Sequence, residues 1–189
     1  MSHETFLAIY NASLQTIYMV LVSGILATLL GLPLGIILFV TDKGQILQQS
    51  FINRSLSLLV NVLRSLPFII LLVAIIPLTR LIVGTSIGTT AAIVPLTIGA
   101  MPFVARLIEN TLQEVPAGLI EAGLAMGATP LQIMYRILIP ESLPGIINAT
   151  TVTLITLVGY SAMAGVVGGG GLGDLAIRYG YERFDLNVM

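Results

Sequence analysis

Four stretches of this chain carry no formal charge, and they limit what it can fold into. Between Glu4 and Asp42 stand 37 uncharged residues, between Arg64 and Arg80 15, between Arg80 and Arg106 25, and between Glu141 and Asp174 32. A helix needs about 20 mostly apolar residues to cross the hydrocarbon of a bilayer. The second run, Phe68 to Ile76 at its heart, is short, so its span is expected to begin near Leu58 and to take in Arg64. Spans are predicted at 17–40, 58–79, 86–107 and 146–167. The fold class is therefore an all-α membrane protein, a polytopic transmembrane helical bundle. With 56% apolar and 9% charged residues, the chain lacks the charge to clothe a soluble domain or to stay disordered. A net charge of −1 gives no basic footprint for a nucleic-acid partner.

The start, Met1-Ser-His-Glu4, has no Lys or Arg and precedes a long apolar run, so the first span reads as a retained helix rather than a signal peptide. There is no cysteine and one histidine, His3, so no thiolate or histidine cluster can hold a metal or carry covalent catalysis. No catalytic residue, metal site or cofactor is expected. The predicted spans contain no Asp, Glu, His or Lys, which argues against proton or ion coupling. No G-x-x-x-x-G-K-[ST] loop is present to hydrolyse nucleotide. Energy for any transport must come from a partner.

Gly31-x-x-x-Gly35 reads as a close-packing site between helices, and Pro67 and Pro95 as kinks. Gly168-Gly-Gly-Gly171-Leu-Gly173 satisfies a dinucleotide fingerprint formally, but it follows a span rather than a strand. A flexible hinge or a helix end is expected there. Lys43, Arg54, Arg106 and Arg136 fall on one side against Arg80, Arg178 and Arg183 on the other, which places the first set in the cytoplasm by four to three. Arg64 has two readings, a side chain snorkelling to the headgroups or a partner for Glu109 or Glu114.

The connection 109–145 is the longest and most charged. Pro116 suits a first helical position and Gly127 a left-handed helix end, which leaves a helix of about ten residues, too short to span. Thr129-Pro130 opens a second helix as N-cap and N1, closed by Pro140 and Pro144. The first helix sets Leu119, Ala122 and Met126 on one face, with Glu121 beside them, and Ala122 and Gly123 leave room for another surface. Lipid-surface helices carry Lys or Arg on their polar face, and residues 115–127 have none, so a protein partner is the better reading.

Glu121-Ala122-Gly123-x-x-x-Gly127, nine residues, then Ile137-x-Ile139-Pro140 resembles the EAA loop of ABC-importer permeases, E-A-A-x3-G-x9-I-x-L-P. Gly123 and Ile139 are the two departures. Arg64-Ser-Leu-Pro-Phe-Ile-Ile70, Val83-Gly-Thr-Ser-Ile-Gly88, Ala92-Ile-Val-Pro-Leu-Thr97 and Gly159-Tyr-Ser-Ala-Met-Ala-Gly165 are similar to the methionine branch of these permeases. The resemblance implies a single permease domain over 1–189, the small ABC-importer type, with a cytoplasmic coupling loop at 109–145. It implies ATPase docking through Glu121, Ala122, Gly123, Met126 and Gly127. It further implies a homodimer, two ATPase subunits, an extracytoplasmic substrate-binding lipoprotein and a bacterial inner-membrane location. A fifth span is expected to begin near Asn187-Val-Met189 and to be truncated. Within the hydroxyl-rich fourth span, Tyr160, Ser161 and Met163 are the expected pathway residues, beside the glycine run.

Overall fold

The computed structural model describes residues 3–184, so the expected start of a fifth span at 187–189 lies outside the described residues. Every regular element among them is helical. The first helix, α1 (His3–Val40), is 38 residues long. At 1.5 Å per residue it measures about 57 Å, well beyond the ~30 Å hydrocarbon layer. The expected span 17–40 is its C-terminal part. Along α1, Ala12, Thr16, Met19, Ser23 and Ala27 are buried at 3–4 spacing, while Phe6, Leu14, Ile17, Leu21, Ile25 and Leu29 are exposed. A helix that is apolar all round but buried along one stripe has a face that lipid or another protein must cover.

The expected span 58–79 is not one helix. It divides into α2 (Ser50–Ser65), α3 (Phe68–Ala74) and α4 (Ile76–Val83). Pro67, extended at φ −56° and ψ 132°, sits between the first two and serves as N-cap of α3. Its ring bars a helical conformation at Leu66, which explains the break. Helix α5 (Thr89–Gln113) runs on through Pro95, and α9 (Leu143–Val166) matches the fourth expected span. Three helices, α1, α5 and α9, are long and apolar enough to cross a membrane, or four if α2 with α3 counts as one broken span.

The residues group into two compact units, interleaved along the chain. The first holds Met1–Ala27, Leu66–Ala100 and Thr153–Met189. Met19, Leu96, Leu157 and Ala164 are fully buried there. A methyl group added at Gly99 would stand 3.1 Å from the Phe68 ring and 3.3 Å from Leu71, so α3 lies directly on α5. Phe68 in turn stacks on Tyr160, with ring centroids 4.4 Å apart and planes 9° from parallel. The glycine run is a helix end: α9 stops at Val166 and α10 (Gly171–Leu175) begins after Gly170. Gly170 has no side chain to cap α10. Gln15 Oε1 accepts the Gly171 N–H and Thr16 Oγ1 the Leu172 N–H, both at 2.9 Å. These supply from α1 the cap that the sequence around Gly170 lacks.

The second unit holds Thr28–Ser65 and Met101–Val152. Gly31 and Gly35 lie against α5: an added Cβ would stand 2.7 Å from Val104 Cβ at the first, and 2.6 Å from the Ala105 carbonyl oxygen at the second. The close-packing reading of this pair therefore holds. Leu38, Val60 and Ala105 form the adjoining core, with Leu34 and Leu56 against it. Asn53 Nδ2 donates to the Leu38 carbonyl at 2.7 Å, satisfying one of the free carbonyls at the end of α1. Glu109 is paired with Arg106, one turn back on the same helix, at 2.7 Å. The other guanidinium nitrogen of Arg106 donates to Asn61 Oδ1 at 2.9 Å, which ties α5 to α2. Arg64 is exposed and makes no direct ion pair with Glu109 or Glu114 among the described residues.

Four variants read in one unfolding assay test this packing. Gly35→Val should lower the unfolding free energy of the purified protein in detergent by about 1–3 kcal/mol through overpacking. Gly118→Ala, where nothing lies within 4 Å of the added methyl, should leave it unchanged or raise it. Arg106→Ala should cost about 3–5 kcal/mol, because it leaves the Glu109 carboxylate buried without its counter-charge. Replacing both residues with apolar ones should recover most of that loss in the same assay.

Candidate coupling surface and translocation residues

Pro116 lies one residue outside the position the sequence suggests. It is the N-cap, extended at ψ 126°, and α6 (Ala117–Ala125) follows it. The C-terminal end of α6 is closed by backbone alone. Gly127 adopts φ +78°, its N–H donates to the Leu124 carbonyl at 2.9 Å, and the Ala128 N–H donates to the Gly123 carbonyl at 3.0 Å. This is the Schellman pairing, and the left-handed turn that permits it suits glycine. Thr129 then caps α7 (Pro130–Ile133) with a complete capping box, its side chain accepting from Gln132 N while Gln132 Oε1 accepts from Thr129 N. The corner between the two helices is thus fixed from both sides.

Pro140 and Pro144 do not close the second helix. After α7 the chain widens into a π turn over Met134–Leu138, where the Ile139 N–H reaches back to the Met134 carbonyl. It continues through α8 (Ile139–Glu141), and the Ser142 N–H donates to the Leu138 carbonyl at 3.0 Å just before α9. Pro140 has no N–H to offer an α-turn and its ring would strike the carbonyl four residues back. A widened turn relieves both problems and lets the helical path run on. Pro140 and Pro144 each fall in the first turn of the helix they begin, where a proline is tolerated.

Around α6 nearly every side chain is exposed. Met126 is 80% exposed, and Leu119, Glu121, Ala122 and Gly127 are exposed with it. The face carrying Leu119, Ala122 and Met126 therefore points outward, as the spacing suggests. Gly123 does not. It is buried, and a Cβ on it would stand 2.7 Å from Ile137 Cδ1 and 3.5 Å from Ile133 Cγ1. The surface that approaches Gly123 belongs to the same chain, which corrects its reading as room for a partner. Beside α6 lies a cleft of about 640 Å3 lined by Phe39, Gln45, Glu114, Pro116, Ile120 and Glu121. Of the four glutamates in 109–145, Glu109 is only 4% exposed and held by Arg106, so it is not offered to a soluble partner.

Tyr160, Ser161 and Met163 lie together on α9 but do not share one face. Met163 is 45% exposed, and Tyr160 is half-buried against Phe68. Ser161 is 2% exposed and its hydroxyl donates to the Val158 carbonyl at 2.7 Å. That hydroxyl is spent within its own helix and faces the interior of its own unit, which corrects its place as a lining residue. Thr150 and Thr151 likewise donate to the carbonyls of Ile146 and Ile147, each at 2.9 Å. Two contacts leave little trace in the sequence: the Phe68–Tyr160 stack and the Gln15–Thr16 cap on α10 each join residues far apart along the chain.

Residues 27–187 match the family described as the binding-protein-dependent transport system inner membrane component. The probable D-methionine transport system permease protein MetI of Vibrio cholerae is 62% identical over 179 residues, covering 95% of this chain and 80% of that protein. The D-methionine transport system permease protein MetI of Salmonella typhi is 64% identical over 151 residues, covering 80% of this chain and 70% of that protein. A solved MetNI methionine ABC transporter in an inward-facing conformation superposes with a TM-score of 0.98 at 55% identity, covering 100% of this chain and 88% of that one. The chain belongs to the inner-membrane components of binding-protein-dependent transport systems, and its helical bundle is the permease fold of that family.

Proposed function

We propose that this chain is the permease subunit of an ATP-driven importer that carries methionine across the bacterial cytoplasmic membrane. Two copies form the pathway between them, two cytoplasmic ATPase subunits dock on their α6 helices, and an extracytoplasmic binding lipoprotein delivers the substrate. The chain itself is not an enzyme; nucleotide hydrolysis belongs to the ATPase.

The observation that carries the reading is α6, a nine-residue apolar helix exposed nearly all round, with no Lys or Arg to hold it on lipid. Its outward face offers Glu121 as a charged contact and Met126 as an adaptable apolar one. Ala122 is small enough for a close partner, and Gly127 fixes the corner. The cargo follows the relatives, whose names specify D-methionine transport. Of the spanning helices, α5 carries a buried acid, Glu109, and Arg106 holds it in an ion pair, which favours an ATP-driven system over a secondary carrier.

Reconstituted in vesicles with its ATPase and binding protein, the chain should take up radiolabelled methionine only when ATP is enclosed with the ATPase. Uptake without the ATPase would mean a secondary carrier, and competition by another amino acid but not by either methionine isomer would reassign the cargo. Glu121→Lys should abolish co-purification with the ATPase, and a complex that survives it would remove α6 from the docking role. For the pathway, Met163 and Tyr160 remain the candidates, with Met163 near the external gate. Met163→Ala should change ATP-driven uptake or raise the passive leak of methionine, and a chain unchanged in both would clear Met163 of that role.

A further inference from the structure

We infer that the contact of Gly123 with Ile133 and Ile137 is the link through which displacement of α6 reaches α9, and that these three are positioning residues for coupling. The inference rests on the docking role proposed for α6 and adds the route inside the chain. Almost every side chain of α6 faces solvent, so this helix has little hold on the rest of its unit. Gly123 is its one buried residue. It lies where a Cβ would meet Ile137 Cδ1 at 2.7 Å and Ile133 Cγ1 at 3.5 Å, so the α6 backbone itself bears on the two isoleucines. Ile133 is fully buried and Ile137 half-buried.

The two isoleucines stand on the path that leads into α9. Ile133 ends α7, Ile137 lies in the π turn, and the backbone bonds Ser142 N to Leu138 O and Ile146 N to Ser142 O carry the helical path into α9. Pro140 interrupts the α-type bonding just beyond Ile137 and the π turn absorbs the interruption. The covalent corner at Gly127 joins α6 to α7 at one end only. The glycine contact supplies a second point of attachment, and two points are needed to transmit a rotation rather than a swivel.

The test uses the complete transporter in vesicles, with ATPase and binding protein, and reads methionine taken up per ATP hydrolysed beside co-purification of the ATPase. Gly123→Val forces α6 off the isoleucines, and Ile137→Ala removes their far side without adding an atom. Each should keep the ATPase bound and lower uptake per ATP by about 3- to 10-fold. Gly123→Val combined with Ile137→Ala keeps the carbon count of the pair and should restore most of the ratio. Unaltered coupling in Ile137→Ala, or a double variant no better than Gly123→Val alone, would overturn the inference. If Gly123→Val does not assemble, Ile137→Ala alone decides. A complex that tolerates Glu121→Lys would instead count against the docking role, so the two failures are told apart.

Discussion

Helices in a bilayer have no hydrophobic reason to prefer one another over lipid, so they hold together where their backbones can come close. In this chain glycine sets those places. Gly31 and Gly35 bring α1 onto α5, Gly99 brings α5 onto α3, and Gly145 lies against Thr111. At Gly31, Gly35 and Gly145 a single added carbon would collide with its neighbour, and at Gly99 it would press on the Phe68 ring at 3.1 Å. The remaining surface of α1 is as apolar as its buried stripe, which is why pattern alone does not reveal the packed face. The packing code here is one of size, not polarity.

That difference accounts for what could be read from the sequence. The charge-free runs located α1, α5 and α9, though not the break at Pro67, because a charge in hydrocarbon is costly whatever the partners. The corner at Gly127 and Thr129 was legible because caps are local chemistry: a left-handed glycine and a capping box involve neighbours along the chain. Gly123 was misread for the same reason in reverse. Its small size signals close approach without saying which surface approaches, and Ile137 lies fourteen positions on. The sequence offered Arg64 as a partner for Glu109, whereas on the folded helix Arg106, one turn back, holds that carboxylate and also reaches Asn61.

Prolines were the least predictable residues. Pro67 breaks the second span, Pro95 sits within an unbroken helix, and Pro140 widens a helix instead of ending it. The difference is what surrounds the missing N–H. Pro67 follows a residue forced out of helical geometry, whereas Pro140 comes after a turn able to expand by one residue. Sequence marks where the regular bonding fails; it does not say whether the chain turns away or carries on.

The two halves of this picture meet at α6. In a bundle whose buried acid, Glu109 on α5, is neutralised by Arg106, little is left to couple to a proton or ion gradient, so a cycle of opening is best imposed from outside the membrane. The element that receives such a displacement needs an exposed face and a stiff connection, and these conflict, because exposure removes contacts. Here the conflict is resolved by separating the requirements along nine residues. Side chains all round the helix stay free, while stiffness comes from the backbone, through the bonds at Gly127 and the bare face of Gly123 on Ile133 and Ile137. Only a residue without a side chain can provide contact at no cost in exposed surface.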